Sequence, residues 1–235
     1  LKTIEIGYYF NQPIENVKWP DSLTHLNLGS WFNQKIENVK WSDSLTHLNL
    51  GSCFNQKIEN VKWPDSLETI KFGTAFNQPI ENDRDKLNLS LSVKWPNSLK
   101  SLTFGHFNQK IENVKWPDSL ESLTFGCFFN REIENVKWPD SLKTINFDWN
   151  FNKPIENVKW PNSLQHITFG YDFFQPLDFM PESLTRIKII NPRYEHTLCN
   201  LPLSIKEIIL SKKLKNKDII PFELQNKVIY IKHYC

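Results

Sequence analysis

Apolar and polar residues alternate along this chain in a fixed rhythm. Reading from Leu23, "LTHLNL" sets apolar side chains at Leu23, Leu26 and Leu28, and "IENVKW" sets them at Ile36, Val39 and Trp41 with the same spacing. The last two apolar positions of each half are two residues apart, which puts both side chains on one face of a strand. Each unit is therefore expected to carry two short strands facing one another across a narrow core. Gly29 with Phe32-Asn33 predicts one corner, and Ser42-Asp43-Ser44, which reads Pro-Asp-Ser in most units, predicts the other. Gly and Pro take their usual turn roles there. No run of ten or more residues has a helix period before residues 217–226.

The unit recurs. Leu1, Leu23, Leu45, Leu67, Leu99, Leu120, Leu142, Leu164, Leu184 and Ile205 open successive copies, at spacings of 22, 22, 22, 32, 21, 22, 22, 20 and 21 residues. Such a period marks a solenoid. One coil buries too few apolar side chains to offset the entropy of ordering its backbone, so the coils must stack. Equivalent strands then pair in parallel at about 4.8 Å, giving a mainly β repeat solenoid of about ten coils, a rod ~50 Å long. The repeat array is expected over residues 1–183, with degenerate repeats and a C-terminal cap over 184–235. Val228 to Ile231 reads as a final strand, and the basic run Lys212 to Lys217 as a solvated part of the cap. An insertion, "DRDKLNLSLS" from Asp83 to Ser92, explains the 32-residue spacing. Its Leu87, Leu89, Leu91 alternation predicts an extended excursion or hairpin, with the first-half sheet passing it unbroken.

Most positions are copied, and copying points to architecture. Trp19, Trp41, Trp63, Trp95, Trp116, Trp138 and Trp160 share one position that Met180 and Leu201 take later, so this Trp is a core filler rather than a ligand platform. Asn11, Asn33, Asn55, Asn77, Asn108, Asn130 and Asn152 form a second series, read as a buried ladder satisfying corner backbone groups. Seven glutamates from Glu15 to Glu156 and seven lysines from Lys18 to Lys159 hold fixed positions, and are expected to offset one another on a solvated wall.

The segments "FNQPIENVKWPDSL" from Phe10 and "FGTAFNQPIEN" from Phe72 resemble the FNIP repeat, a leucine-rich-repeat-like unit of amoebal and giant-virus proteins. The resemblance covers about Leu1 to Leu184. It implies a leucine-rich-repeat-like solenoid used for protein–protein contact, without catalytic residues. Many viral members of the family carry an F-box, which would make the repeats the substrate-selecting arm of a ubiquitin ligase. This sequence shows no F-box segment. It opens at Leu1, in mid-pattern and without an initiator Met, so further residues are expected before it.

What varies is where function is sought. The third and fifth residues of each first half point outward between buried Leu or Ile residues. They form a candidate partner-binding stripe: His25 and Asn27, His47 and Asn49, Thr69 and Lys71, Ser101 and Thr103, Ser122 and Thr124, Thr144 and Asn146, His166 and Thr168. Thr3 and Glu5 precede it, and Arg186 and Lys188 follow it. The aromatics Tyr8, Tyr9, Trp31, Phe128, Trp149 and Tyr171 are expected along its edge as anchors. His25 and His47 should lie within about 5 Å of one another in adjacent coils. With no carboxylate or cysteine expected beside them, they read as a pH-sensitive polar contact rather than a metal site.

Composition changes little. The 28 Lys and Arg against 26 Asp and Glu leave a formal charge of +2, which announces neither nucleic acid nor a basic partner. Cys53, Cys127, Cys199 and Cys235 show neither close pairing nor metal-ligand spacing, as expected for reduced thiols in a cytoplasmic protein. No transmembrane run or signal peptide is seen. No Ser-His-Asp, Cys-His or clustered carboxylate arrangement is visible, so neither enzymatic activity nor a cofactor is expected. A protein partner is the leading expectation, and an extracellular or structural solenoid without a specific partner is its rival.

Overall fold

Ile4, Leu26, Leu48, Ile70 and Leu102 recur at the centre of one three-residue strand per coil, each between two outward residues. The computed structural model describes residues 1–81 and 92–232. The strands are β1 (Thr3–Glu5), β2 (His25–Asn27), β3 (His47–Asn49), β4 (Thr69–Lys71), β5 (Ser101–Thr103), β6 (Ser122–Phe125), β7 (Thr144–Phe147), β8 (His166–Phe169), β9 (Arg186–Ile189), β10 (Glu207–Ser211) and β11 (Val228–Ile231). They form one 11-stranded sheet in sequence order. Every pairing is parallel, and equivalent residues face one another, His25 against His47 and Asn27 against Asn49. The expected solenoid of coils about 22 residues long is present. Thr69 pairs with Ser101 across the 32-residue spacing, so the sheet does run past the insertion. The excursion or hairpin expected from Asp83 to Ser92 lies outside the described residues, apart from Ser92.

The second strand per coil is a correction. Among the described residues every strand from β1 to β10 belongs to the first half of a coil, β11 belongs to the cap, and none falls in "IENVKW". The apolar residues there are inward, with Ile36 1% and Val39 5% exposed, but Val39 N–H donates to Ile36 O at 3.3 Å and the chain turns between them. The same bond joins Val61 to Ile58 and Val136 to Ile133 at 3.2 Å. A turn at Glu-Asn returns the third residue to the core as a strand would, because both geometries bring the chain back to the same side.

Columns of identical side chains hold the coils together. Phe32, Phe54, Phe76, Phe107, Phe129 and Phe151 are fully buried, with neighbouring rings near-parallel at about 6 Å, as for Phe32 and Phe54. Trp63, Trp95, Trp116 and Trp138 are buried and Trp19, Trp41 and Trp160 are half-buried. All seven indole N–H groups lack a hydrogen-bond partner, which fits filling rather than polar recognition. The Asn ladder forms: Asn33 N–H donates to Asn11 Oδ1 at 2.9 Å, Asn55 N–H to Asn33 Oδ1 at 2.9 Å, and the series continues to Phe174 N–H on Asn152 Oδ1 at 2.8 Å. Its members are half-buried or exposed rather than buried, since their backs face water at the corner. A second ladder runs at the opposite corner, where Ser66 Oγ donates to Leu45 O at 2.7 Å and Ser98 Oγ to Leu67 O at 2.8 Å.

The corner after each strand brings backbones into contact. A Cβ on Gly51 would lie 1.9 Å from Gly29 O, and φ there is +78°, so both space and conformation require glycine. Beyond Leu184 the coils continue through β9 and β10, and the chain closes over them. Leu214, Ile219, Ile220 and Leu224 are buried, a 3-10 helix spans Phe222–Lys227, and β11 ends the sheet where a final strand was expected. The basic run from Lys212 to Lys217 is solvated apart from Leu214. Lys217 Nζ lies 5.1 Å from the Tyr230 ring. No helix among the described residues is long and apolar enough to cross a membrane.

Candidate partner-binding face

Alternation about the sheet decides which side chains reach solvent. None of the expected stripe residues is buried: His25 and Lys71 are exposed, and Asn27, His47, Asn49, Thr69, Ser101, Thr103, Ser122, Thr124, Thr144, Asn146, His166 and Thr168 are half-buried between their neighbours. The residues alternating with them, such as Leu26, Leu48 and Ile70, are 0–2% exposed. Parallel in-register pairing sets these side chains in two continuous rows on one face.

The N-terminal end of that face is hollowed. Ile4, Glu5, His25, Asn27, His47 and Lys71 help line a recess of about 270 Å³. An adjoining groove of about 500 Å³ shares Asn27, Asn49 and Lys71, and runs along the corner over Gly29, Gly51, Gly73 and Gly105. The absence of Cβ atoms there opens the groove, a signal that sequence reading had assigned only to turning. Tyr8, Tyr9 and Trp31 stand beside it, 59%, 74% and 51% exposed. They contact edge to face, with centroids 4.9 and 5.5 Å apart. Phe128 and Trp149 are also exposed, while Tyr171 is half-buried and stacks on Trp149.

His25 and His47 stack with centroids 4.2 Å apart and planes 8° from parallel. Thr24 Oγ1 lies 2.9 Å from His25 Nδ1 and Thr46 Oγ1 2.8 Å from His47 Nδ1. Each hydroxyl already donates its one proton to a carbonyl of the preceding coil, Lys2 O and Thr24 O, at 3.0 Å. Nδ1 of each ring is thus engaged by the threonine before it, which leaves Nε2 as the nitrogen available to a ligand. Burial, and then the charge of His25, hold the His47 pKa below its usual value, against an opposing pull from Glu68. His166 is likewise lowered, by burial and then by Arg186.

Carboxylates do stand near this pair, contrary to expectation. Glu5 lines the same recess and Glu68 is close enough to act on His47. Glu68, however, is engaged by Lys100 at 2.9 Å. This pair belongs to a row beside the stripe that sequence reading missed, with Lys143 on Glu121 at 3.0 Å as its counterpart. On the outer wall, by contrast, Glu59 is the one member of the repeated glutamate series in an ion pair among the described residues, with Lys57 at 3.8 Å. None of the seven repeated lysines forms one among the described residues. The expected mutual pairing of the two series is therefore not seen among the described residues; the lysines are exposed, whereas Glu37, Glu59, Glu81 and Glu112 are half-buried. No group of three or more His, Cys, Asp or Glu among the described residues is placed to hold a metal.

A model of the FNIP repeat matches residues 1–31, 32–75, 54–84, 93–128, 129–172 and 159–192. The chain belongs to the FNIP-repeat family. Among solved structures it is similar to CroV588, a giant-virus protein reported as a novel circular LRR protein structure, at 39% identity and a TM-score of 0.57. That match covers 89% of this chain, which spans 36% of the length of CroV588. A leucine-rich repeat protein from Bacteroides ovatus also aligns, at 13% identity and a TM-score of 0.22, over 99% of this chain and 84% of its own, a likeness too slight to carry an argument. A search of curated proteins gives no match. The chain is thus an FNIP-repeat, leucine-rich-repeat-like solenoid, an architecture that generally presents a binding surface to other proteins.

Proposed function

We propose that this FNIP-repeat solenoid binds a protein partner along the face formed by the third and fifth residues of its coils, and that it does so in the cytoplasm as the substrate-selecting arm of an F-box-type ubiquitin ligase adaptor. One observation carries the reading. On a scaffold whose core is largely copied from coil to coil, this accessible in-register face varies, from His-Asn to Thr-Lys to Ser-Thr. Exposed aromatics flank it, and aromatic anchors supply much of the binding energy at protein interfaces. Cys53, Cys127 and Cys199 are free thiols, as a reducing compartment favours. The role is binding without chemistry of its own: the stripe holds amides, hydroxyls, imidazoles and single charges, and the threonines beside His25 and His47 tie those rings to the sheet.

The test compares captured partners of the intact chain with those of a variant carrying His25→Ala, His47→Ala, Asn49→Ala and Thr69→Ala together. A variant in Lys115 and Lys137 on the outer wall serves as control. Loss of a defined set of partners from the first variant alone is the expected result. Identical captures from all three would defeat the stripe reading. For the ligase role, the decisive measurement is whether the natural full-length product co-purifies with a ubiquitin ligase core.

A further inference from the structure

The chemistry of the recess at β1 to β4 narrows the class of partner, an inference that rests on the stripe reading above. Lys71 is exposed on β4, and among the described residues it has no carboxylate within ion-pair distance. Glu68, in the same coil, is already held by Lys100. From β2 to β8, Lys71 is the one Lys, Arg, Asp or Glu at the third or fifth position of any coil. His25 and His47 share the recess with it, each with Nδ1 engaged by a threonine and Nε2 unengaged. Asn27 and Asn49 add amide donors, and the flat histidine pair with Ile4, Leu26 and Leu48 gives the recess an apolar component. Glu5 on β1 is the opposing carboxylate, at the far edge from Lys71. The remaining groups on the packed elements, Thr3 and Thr69, are neutral.

We infer that this recess receives an acidic segment of the partner protein, with an Asp or Glu carboxylate set between Lys71 Nζ and the Nε2 edges of His25 and His47, and a neighbouring apolar side chain over the histidine faces. Charge complementarity selects this occupant: an ammonium without an ion-pair partner among the described residues, and imidazoles whose Nε2–H donates when the ring is protonated, outweigh the one carboxylate, Glu5, at the far edge. A bound carboxylate stabilises the imidazolium of His47, which in the free chain is disfavoured first by burial and then by the charge of His25. Binding is therefore linked to proton uptake and tightens as pH falls from about 7.5 to about 5.5.

The experiment is a random peptide display selection against the full chain at pH 6, followed by solution affinities of the enriched peptides. The expected result is peptides carrying Asp or Glu beside an apolar residue. Lys71→Met should weaken them at least about tenfold while Lys71→Arg retains them, the loss expected for one charge-assisted hydrogen bond. His47→Gln should remove most of the pH dependence, and Lys137→Ala on the outer wall should change nothing. Peptides lacking acids, or insensitive to Lys71→Met but weakened by Thr144→Ala with Asn146→Ala, would overturn this inference and leave the stripe reading standing. Peptides insensitive to every stripe substitution would defeat both. A selection that yields no binder overturns the recess as a peptide site.

Discussion

Replacing Asn152 with Ala isolates the corner ladder from the core. Asn152 Oδ1 accepts the backbone N–H of Phe174 at 2.8 Å and Nε2 of Gln175 at 2.9 Å. Gln175 loses little, because its amide also reaches Asn152 O at 3.4 Å and can turn to water. Phe174 N–H has no such freedom. Its residue is half-buried between coils, and at this position the following coil offers no asparagine to rebuild the contact. An orphaned donor of this kind costs about 1–3 kcal/mol, and partial access of water places the expected loss near ~1.5 kcal/mol. Asn152→Asp keeps an acceptor facing the same donors and should lose less than about 0.5 kcal/mol. Urea unfolding followed by tryptophan fluorescence reads both, with a lower midpoint and an unchanged slope for Ala. Asn11→Ala, on the exposed first coil, should cost less than Asn152→Ala because water can replace it. Equal losses for Ala and Asp at 152 would refute the claim that the acceptor matters.

Two further perturbations test other parts of the scaffold. A Cβ on Gly126 would lie 1.0 Å from Gly105 O, whereas one on Gly7 meets nothing within 4 Å. Gly126→Ala should therefore cost about 3 kcal/mol or more by forcing coils apart, while Gly7→Ala should stabilise by about 0.4–1 kcal/mol through the unfolded chain, both visible as opposite shifts in Tm. For pH, His47 and His166 have folded pKa values below the unfolded 6.5. The unfolded chain thus binds protons more readily, so their contribution is full above about pH 6.5 and is lost as pH falls through the folded values. Urea midpoints should drop between about pH 7.5 and 5, and His47→Gln with His166→Gln should flatten that drop. An unchanged profile in the double variant would assign the drop to other groups.

Apolar spacing made β2 to β8 legible, because "LTHLNL" alternates about Leu26 and Leu28 and the copies force parallel, in-register stacking. The same spacing misled in "IENVKW". Ile36, Val39 and Trp41 point inward as a strand would demand, but burial records direction and says nothing about how the chain travels between inward points. The bond from Val39 N–H to Ile36 O, which makes that segment a turn, leaves no periodic trace. The stripe residues were legible for the same reason as the strands. The recess they border was not, since it depends on two imidazoles of adjacent coils stacking, each held at Nδ1 by the threonine one residue earlier. The Glu68–Lys100 pair was also hidden, because its members lie 32 residues apart and meet only once the insertion is passed over.

Repetition also sets a requirement on any partner site. If all coils presented the same outward pair, a segment lying along the solenoid could bind equally well in several registers, each displaced by one strand spacing of about 4.8 Å. Affinity would rise with the number of registers, but no one register would be preferred, and specificity is a difference of affinities. A charge that occurs once removes this degeneracy. Lys71 does so between β2 and β8, where every other outward pair is built from His, Asn, Ser or Thr. The repeated lysines on the outer wall cannot fix a register, since the same residue recurs in seven successive coils from Lys18 to Lys159. A partner read by position must therefore engage the singular residue, and mutating Lys71 should blur register as well as weaken binding. Cross-linking an enriched peptide to Lys71→Met chains should spread its contacts over neighbouring coils, whereas the unmodified chain should give one set.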